Sequence, residues 1–396
     1  MSKTIAINAG SSTLKFQLFE MPSEDVIAKG VIERIGMDDA IVSIKYGDSE
    51  KFNTTMPVKD HEVAVNFLLK QLLNLSIISD YNEITGVGHR VVAGGEYFKD
   101  SVVIDDDVIA KIDELADYAP LHNPANLAGI KTFRKLLPNV TSVAVFDTAF
   151  HQTMPEVNYM YSVPYEWYDK YGARKYGAHG TSHRYVSSRA AEMLGKPLKD
   201  LKMITLHLGA GASITAIKDG KSFDTSMGFT PLAGVTMATR SGDVDASLIA
   251  WMQGKLGISD PEEMIDVLNH KSGLVGISGV SADMRDLEKV MDTNHRAKLA
   301  RDMWINRVIR YIGQYVAEMN GLDVLVFTAG VGENDIGIRQ SVADGLSYFG
   351  VGIDPEKNNI RGVERDLTSA SATVKTLLVP TDEELMIARD VERLKK

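Results

Sequence analysis

The run Thr4-Ile5-Ala6-Ile7-Asn8-Ala9-Gly10-Ser11-Ser12 returns far downstream as Thr205-Leu206-His207-Leu208-Gly209-Ala210-Gly211-Ala212-Ser213. Superposing Gly10 on Gly211 aligns Ile5, Ala6 and Ile7 with Leu206, His207 and Leu208, and Ser12 with Ser213. Each copy reads as a buried strand, a turn stripped of bulk and a second strand. Glycine lets a backbone approach a ligand closely, and successive N–H groups in such a turn form a concavity for anions. A chain that carries this device twice is constrained to a duplicated fold able to grip one polyphosphate. That points to a nucleotide-dependent phosphotransferase.

Composition limits the alternatives. At 396 residues there is room for two or three domains. The net charge is −10 and no Lys/Arg block suits nucleic acid or a membrane surface, so anion-binding arginines must be concentrated locally. The absence of cysteine excludes disulfides, thiolate metal sites and a cysteine nucleophile. No apolar run reaches spanning length and the start runs straight into a strand, so a cytoplasmic enzyme without a signal peptide is expected.

Strand-like runs fall at 4–8, 14–19, 41–46, 87–92, 140–146, 203–208, 213–218 and 323–328. They alternate with helical patterns near 61–75, 105–118, 124–137, 182–194 and 295–320. Gly195 and Asn320-Gly321 mark helix ends. Strand pairs followed by strand–helix alternation read as two α/β lobes, with a boundary near residue 150 and a final helix at about 382–394 that returns to the first lobe.

A third glycine element, Gly330-Val331-Gly332-Glu333-Asn334, follows the apolar strand Val324–Phe327, with Asn334 or Asp335 placed to cap the next helix. It is either a tight connection or part of a nucleotide site off the carboxyl ends of the strands. Arg90 closes a strand beside Gly94-Gly95, and Arg240 sits in a small polar loop after Gly228 and Gly234. Each is a surface ion pair or, jointly, a clamp whose forks match a carboxylate and a phosphoryl group. Asp147, after Val143–Phe146, is a cap or a positioner of acceptor or metal. His179 and His183 have the spacing of a zinc pair, but Gly180 and the Thr181-Ser182 cap signal put His179 ahead of the helix, so that reading fails. A His179 donating to a phosphoryl oxygen fits better, while His122, His183 and His207 are equally readable as structural. In Thr381-Asp382-Glu383-Glu384-Leu385, helix capping alone explains the acidic residues.

Taken together, Asn8–Lys15, His89–Val92, Phe146–His151, His179–His183, Ala238–Asp243, Gly330–Asn334 and Thr381–Leu385 resemble the acetokinase family in order and spacing, over nearly the whole chain. That family shares a superfamily with sugar kinases, actin and the heat-shock ATPases. The resemblance implies an α/β fold of two duplicated ribonuclease-H-like lobes around a nucleotide cleft. Residues 1–150 with a helix at about 384–396 would form one lobe, and 151–383 the other, which would bind nucleotide and dimerise. It implies ATP + acetate ⇌ ADP + acetyl phosphate, with Mg²⁺ (Mn²⁺ as a substitute), in a cytoplasmic homodimer with no nucleic-acid or membrane partner.

Carried residue by residue, the resemblance assigns Asn8 and Glu383 to the metal, Lys15 to the nucleotide phosphates and Arg90 to the acetate carboxylate. Asp147, His179 and Arg240 would be catalytic. ATP would be held by His207, Leu208, Gly209, Ala210 and Gly211, by Asp283, Met284 and Arg285, and by Gly330, Val331, Gly332, Glu333 and Asn334. Two positions depart from the family pattern, Ala210 for asparagine and Ala93 for histidine. Val92, Leu121 and Pro231 are candidate walls for a small acyl group. A propionate or butyrate kinase is the near alternative, because one methylene discriminates weakly. A non-metabolic ATPase of the same superfamily is the distant one, and such relatives lack the Arg90 and Arg240 loops.

Overall fold

The computed structural model describes residues 2–119 and 122–395. The chain divides into two compact units, Met1–Phe150 with Asp382–Lys396, and His151–Thr381.

The first unit is built on β1 (Ser2–Ala9), β2 (Thr13–Met21), β3 (Asp25–Glu33), β4 (Met37–Tyr46), β5 (Glu50–Val58), β6 (Ile84–Val91), β7 (Val102–Val103) and β8 (Thr141–Phe146). They lie in the order β5-β4-β3-β2-β1-β6-β8-β7. β1 to β5 pair antiparallel, while β6 runs parallel to both β1 and β8. The second unit holds β9 (Met203–Leu208), β10 (Ala212–Lys218), β11 (Lys221–Thr225), β12 (Val324–Thr328), β13 (Arg365–Asp366) and β14 (Lys375–Leu378), in the order β11-β10-β9-β12-β14-β13. β3-β2-β1-β6-β8 and β11-β10-β9-β12-β14 therefore share one scheme: two antiparallel pairings, then two parallel ones. The repeat seen in the glycine turns is a repeat of whole sheets.

Alternation along the central strands decides what each face carries. In β6, Val87 joins the core that includes Phe133 of helix Asn123–Leu136, and the His89 ring meets Phe133 edge-on at 5.4 Å. Gly86 and Gly88 point the other way, where the helix Glu383–Leu394 lies so close that a β-carbon on Gly88 would stand 2.8 Å from Val391 Cγ2 and nearer still to Ile387. That packing demands glycine at both positions. Arg90 follows in the same register and so faces the N-terminus of that helix.

The second unit follows the same logic. Ile204, Leu206 and Leu208 of β9 join the core with Trp304, Val308 and Ile312 of the long helix His295–Met319. Thr205 and His207 take the opposite face, which helix Gly180–Leu194 covers through His183 and Ser182. Two sequence expectations change in detail. Thr181 and Ser182 lie inside that helix, and His179 takes the cap position in a left-handed conformation (φ 57°) with no side-chain capping bond. Residues Ala329–Asn334 form a short helix rather than a loop, and Asp335 caps the next one through Ile338 N.

Candidate active site

In the first unit, three neighbouring parallel strands end together. Asn8 is the penultimate residue of β1, Arg90 that of β6, and Asp147 follows β8 directly. All three project on the face covered by helix Glu383–Leu394. Arg90 Nε donates to Asp147 Oδ1 and Oδ2 at 3.1 and 3.0 Å, Nη2 donates to Oδ2 at 2.5 Å, and Nη1 donates to Asn8 Oδ1 at 3.1 Å. The side-on edge of the guanidinium is thus spent on a carboxylate that is only 1% exposed. Burial works against the Arg90 charge, but Asp147, Glu383 and Glu384 more than offset it and raise its pKa. Lys15 is exposed on β2 directly opposite Asn8.

Asp382 caps the C-terminal helix by accepting from Leu385 N at 2.9 Å, which leaves Glu383 and Glu384 to the site. Burial lifts the Glu383 carboxyl to about 7, and Asp147 and Glu384 push the same way against Arg90 and Lys15. Burial raises Glu384 as well, so these carboxyls hold their protons more tightly than usual and would gain from a further cation beside them, where the Asn8 carbonyl also lies. Among the described residues no group of three acidic, histidine or cysteine ligands forms a metal site. Mg²⁺ does not need one, since it keeps several waters and takes only one or two protein oxygens beside substrate phosphates. The oxygen donors Glu383 and Asn8 fit that demand.

In the second unit the turn between β9 and β10 is closed by Gly209 N donating to Gly211 O at 3.2 Å. A β-carbon on Gly211 would lie 3.5 Å from His179 Nε2 and 3.6 Å from Arg240 Nη1, so both side chains flank this glycine. Arg240 differs from Arg90 in one decisive respect. Its Nη1 reaches only Pro231 O at 3.3 Å and Met237 Sδ at 3.8 Å, and no carboxylate among the described residues pairs with it. Burial alone lowers its pKa. A half-buried cation without a counter-charge is costly unless an anion is meant to arrive.

Behind the turn lies a chain of histidines. The His179 and His207 rings stack at 4.1 Å, and Ser213 Oγ bonds His179 Nδ1 at 2.9 Å and His183 Nε2 at 2.7 Å. His183 Nδ1 meets Thr205 Oγ1 at 2.7 Å, and Ser182 Oγ joins His207 Nδ1 to Thr381 Oγ1. With both of its nitrogens bonded to hydroxyls, His183 cannot ligate a metal with His179. Burial lowers His151 to about 4 and His183 well below the ordinary value. Unfolded histidines titrate near 6.5, so below that pH the unfolded chain binds more protons than the folded one. Stability should be complete above pH 6.5 and decline toward pH 4, by up to about 1.4 kcal/mol per pH unit for each histidine. Calorimetry across this range checks it: His151→Gln, which cannot ionise, should flatten the fall in Tm. An equally steep fall in that variant would locate the acid sensitivity elsewhere.

Beside the turn is a cavity of about 940 Å³ that brings together Gly209 and Ala210, Asp283, Met284 and Arg285, and Gly330, Val331 and Asn334. It is at the upper end of the roughly 300–1,000 Å³ that small-molecule sites occupy. Asp283 caps the helix Met284–Val290 and receives the Arg285 guanidinium, which holds its carboxyl near 2. The cavity lining does not include His207, Leu208, Gly211, Gly332 or Glu333. Glu333 is turned onto its own helix start and the chain end of the unit, accepting from Ala329 N at 2.8 Å and Thr381 N at 3.1 Å. Leu121 lies outside the described residues, and Val92 is buried against Ala93 and Ala119.

Sequence reasoning missed several lining residues, among them Ala238, Trp304, Ile336, Gly337 and Arg361. Gly337 continues the glycine motif and could have been found. Arg361 carries no local sign: its Nε reaches Asn334 O at 3.0 Å from a separate segment. That segment is fixed by buried Arg339, whose guanidinium donates to Gly332 O, Glu333 O, Asn358 Oδ1, Asn358 O and Ile360 O.

Comparison with known proteins covers the whole chain. The sequence profile described as the acetokinase family matches residues 3–389. An acetate kinase of Limosilactobacillus fermentum is 67% identical over 397 residues, covering 100% of each chain. The crystal structure of Porphyromonas gingivalis acetate kinase superposes with a TM-score of 0.95 at 45% identity, covering 100% of both. A propionate kinase from Francisella tularensis gives 0.93 at 40% identity, again covering 100% of both.

Proposed function

The chain belongs to the acetokinase family, and from that premise we infer that it is an acetate kinase, transferring the γ-phosphoryl group of ATP reversibly to acetate. Acetate is taken as the acceptor because the relatives at 57–67% identity are acetate kinases, whereas the propionate kinase is 40% identical. The observation that carries most weight is Arg240, a half-buried cation that no carboxylate among the described residues pairs, beside a glycine turn and the cavity.

In this reading an acetate oxygen bonds to the γ-phosphorus as the bond to the β–γ bridging oxygen breaks, and the electron pair leaves on ADP. Acetate is already a carboxylate, so no strong base is required, and catalysis rests on positioning and charge neutralisation. Arg90, its side-on edge fixed by Asp147, binds the acceptor carboxylate through its remaining N–H groups. Asp147 therefore orients the guanidinium rather than taking a proton. Arg240 and His179 neutralise the oxygens of the group in transfer, and Lys15 assists with the nucleotide phosphates. Mg²⁺, held by Glu383 and Asn8, would supply further neutralisation of phosphate charge. The cavity beside Gly209 and Ala210 takes the nucleoside.

The test is acetate-dependent ADP formation with Mg²⁺, compared with propionate and butyrate. ADP formed equally without any carboxylate would favour an ATPase instead. A smaller prediction concerns Ala210, which lines the cavity where the family pattern has asparagine. Ala210→Asn restores an amide donor worth about 1 kcal/mol. It should lower the KM for ATP several-fold and leave the KM for acetate alone, and a shift confined to acetate would place this turn on the acceptor side. We also place the enzyme in the cytoplasm as a homodimer. The second unit leaves Val157, Trp167, Tyr171, Leu248, Trp251 and Leu256 exposed, an apolar allowance that a second copy would cover.

A further inference from the structure

We propose that Asn126 is a positioning residue for the acceptor end of the site, one amide that ties the end of β1, carrying Asn8, to the end of β6, carrying Arg90. The inference rests on the reaction described above and names a residue that the reaction itself does not touch.

Asn126 is 3% exposed. Its Nδ2 donates to Ala9 O at 2.6 Å and its Oδ1 accepts from Val92 N at 3.2 Å. Ala9 is the residue after Asn8, and Val92 lies two residues after Arg90. The segment that β6 runs into has left the sheet, and its backbone groups are satisfied one by one. Val91 O accepts from Asp147 N at 3.0 Å, Ala93 N and O are both met by the amide of Asn123 at 3.0 and 3.1 Å, and Gly94 N donates to Thr148 Oγ1 at 3.0 Å. Asn123 and Asn126 lie three residues apart at the start of helix Asn123–Leu136, so they share one face of it.

Asn126 differs from Asn123, whose amide serves Ala93, Ile112 and Leu115, in that its two bonds go to the ends of two different strands. The Arg90–Asn8 contact at 3.1 Å spans the same two strand ends on the opposite face of the sheet. A loose strut would let Asn8 and the guanidinium drift apart, and misplacing a binding group by about 1 Å can cost on the order of 10²-fold in rate. The site needs one donor and one acceptor in a single flat group. Leucine matches the volume and offers neither. A neutral carboxyl offers both, whereas an ionised one turns a second oxygen against the Ala9 carbonyl.

The experiment uses full-length Asn126→Leu and Asn126→Asp, with steady-state kinetics, calorimetric titration of ADP in the absence of metal, and unfolding temperatures. For Asn126→Leu, kcat/KM for acetate should fall on the order of 10²-fold while ADP affinity is unchanged. For Asn126→Asp, the ratio of variant to wild-type kcat/KM for acetate should approach one on the acid side and fall as pH rises and the buried carboxyl ionises. Should the leucine variant fail to fold, the pH dependence of the aspartate variant decides alone. Wild-type acetate kinetics in a folded Asn126→Leu, a loss shared equally by acetate and ADP, or a flat ratio in Asn126→Asp would overturn the proposal. A wild-type enzyme that transfers nothing to acetate would overturn the reaction itself, an outcome read before either variant is compared.

Discussion

Arg90→Ala and Arg240→Ala should each lose about 10²–10³ in kcat, the usual cost of removing one preorganised donor to developing charge. Their stabilities should separate. Arg90 neutralises Asp147, which is 1% exposed, so its removal strands a buried carboxylate. Breaking such a pair typically costs about 3–5 kcal/mol, and Arg90→Ala should unfold at a clearly lower temperature. Arg240 has burial against it and no carboxylate for it among the described residues, so Arg240→Ala should keep or slightly raise the Tm. Adding Asp147→Asn to Arg90→Ala should recover stability without recovering turnover. Kinetics and calorimetry on the same preparations read both effects. Near-normal kcat in both single variants would remove the arginines from catalysis, and a large Tm loss in Arg240→Ala would mean its charge is structurally paired.

How far the sequence reached follows from what each residue depends on. β1, β9 and β12 were legible because they are largely buried on both faces and read as short, predominantly apolar runs. β5 was not: Glu50-Lys51-Phe52-Asn53-Thr54-Thr55-Met56 exposes one whole face, and its charges hide the alternation. The helix Pro261–His270 was missed although Asp260 and Pro261 form a regular start signal. At Thr181-Ser182 the cap signal misled, because both side chains are buried within the helix and Ser182 serves His207.

The site divides in the same way. Asn8, Arg90 and Asp147 each close an apolar strand, so their shared location follows from parallel pairing, a local pattern plus one topological rule. The carboxylates of Glu383 and Glu384 read as capping groups, since nothing nearby shows that their helix lies across β6. Asn126, Arg339 and Arg361 act on backbone brought up from distant segments, and no spacing in the chain announces such contacts.

Gly273 is the most severe case of that kind, and it carries the second large prediction. The backbone of 272–275 is laid against the Arg240 loop: Ser272 N donates to Thr239 O, Leu274 N to Met237 O and Val275 N to Ala238 O, at 2.9–3.1 Å. Gly273 takes φ +59°, and a β-carbon there would stand 2.7 Å from Arg240 O, 3.0 Å from Arg240 N and closer still to Met237 O. These are backbone atoms that cannot rotate away. Gly273→Ala therefore combines left-handed strain of about 1–3 kcal/mol with a forced shift of the loop that aims Arg240. Turnover should fall on the order of 10²-fold even well below the lowered Tm, because a displaced guanidinium no longer meets the group in transfer. Gly313→Ala is the control: it sits inside helix His295–Met319, with Phe349 Cε2 at an ordinary 3.8 Å. It should be neutral or stabilise by about 0.5–1 kcal/mol with kcat intact. A folded Gly273→Ala with wild-type kcat would show that Arg240 does not depend on this loop for its aim, and the clamp would then have to be held by the β9–β10 turn alone.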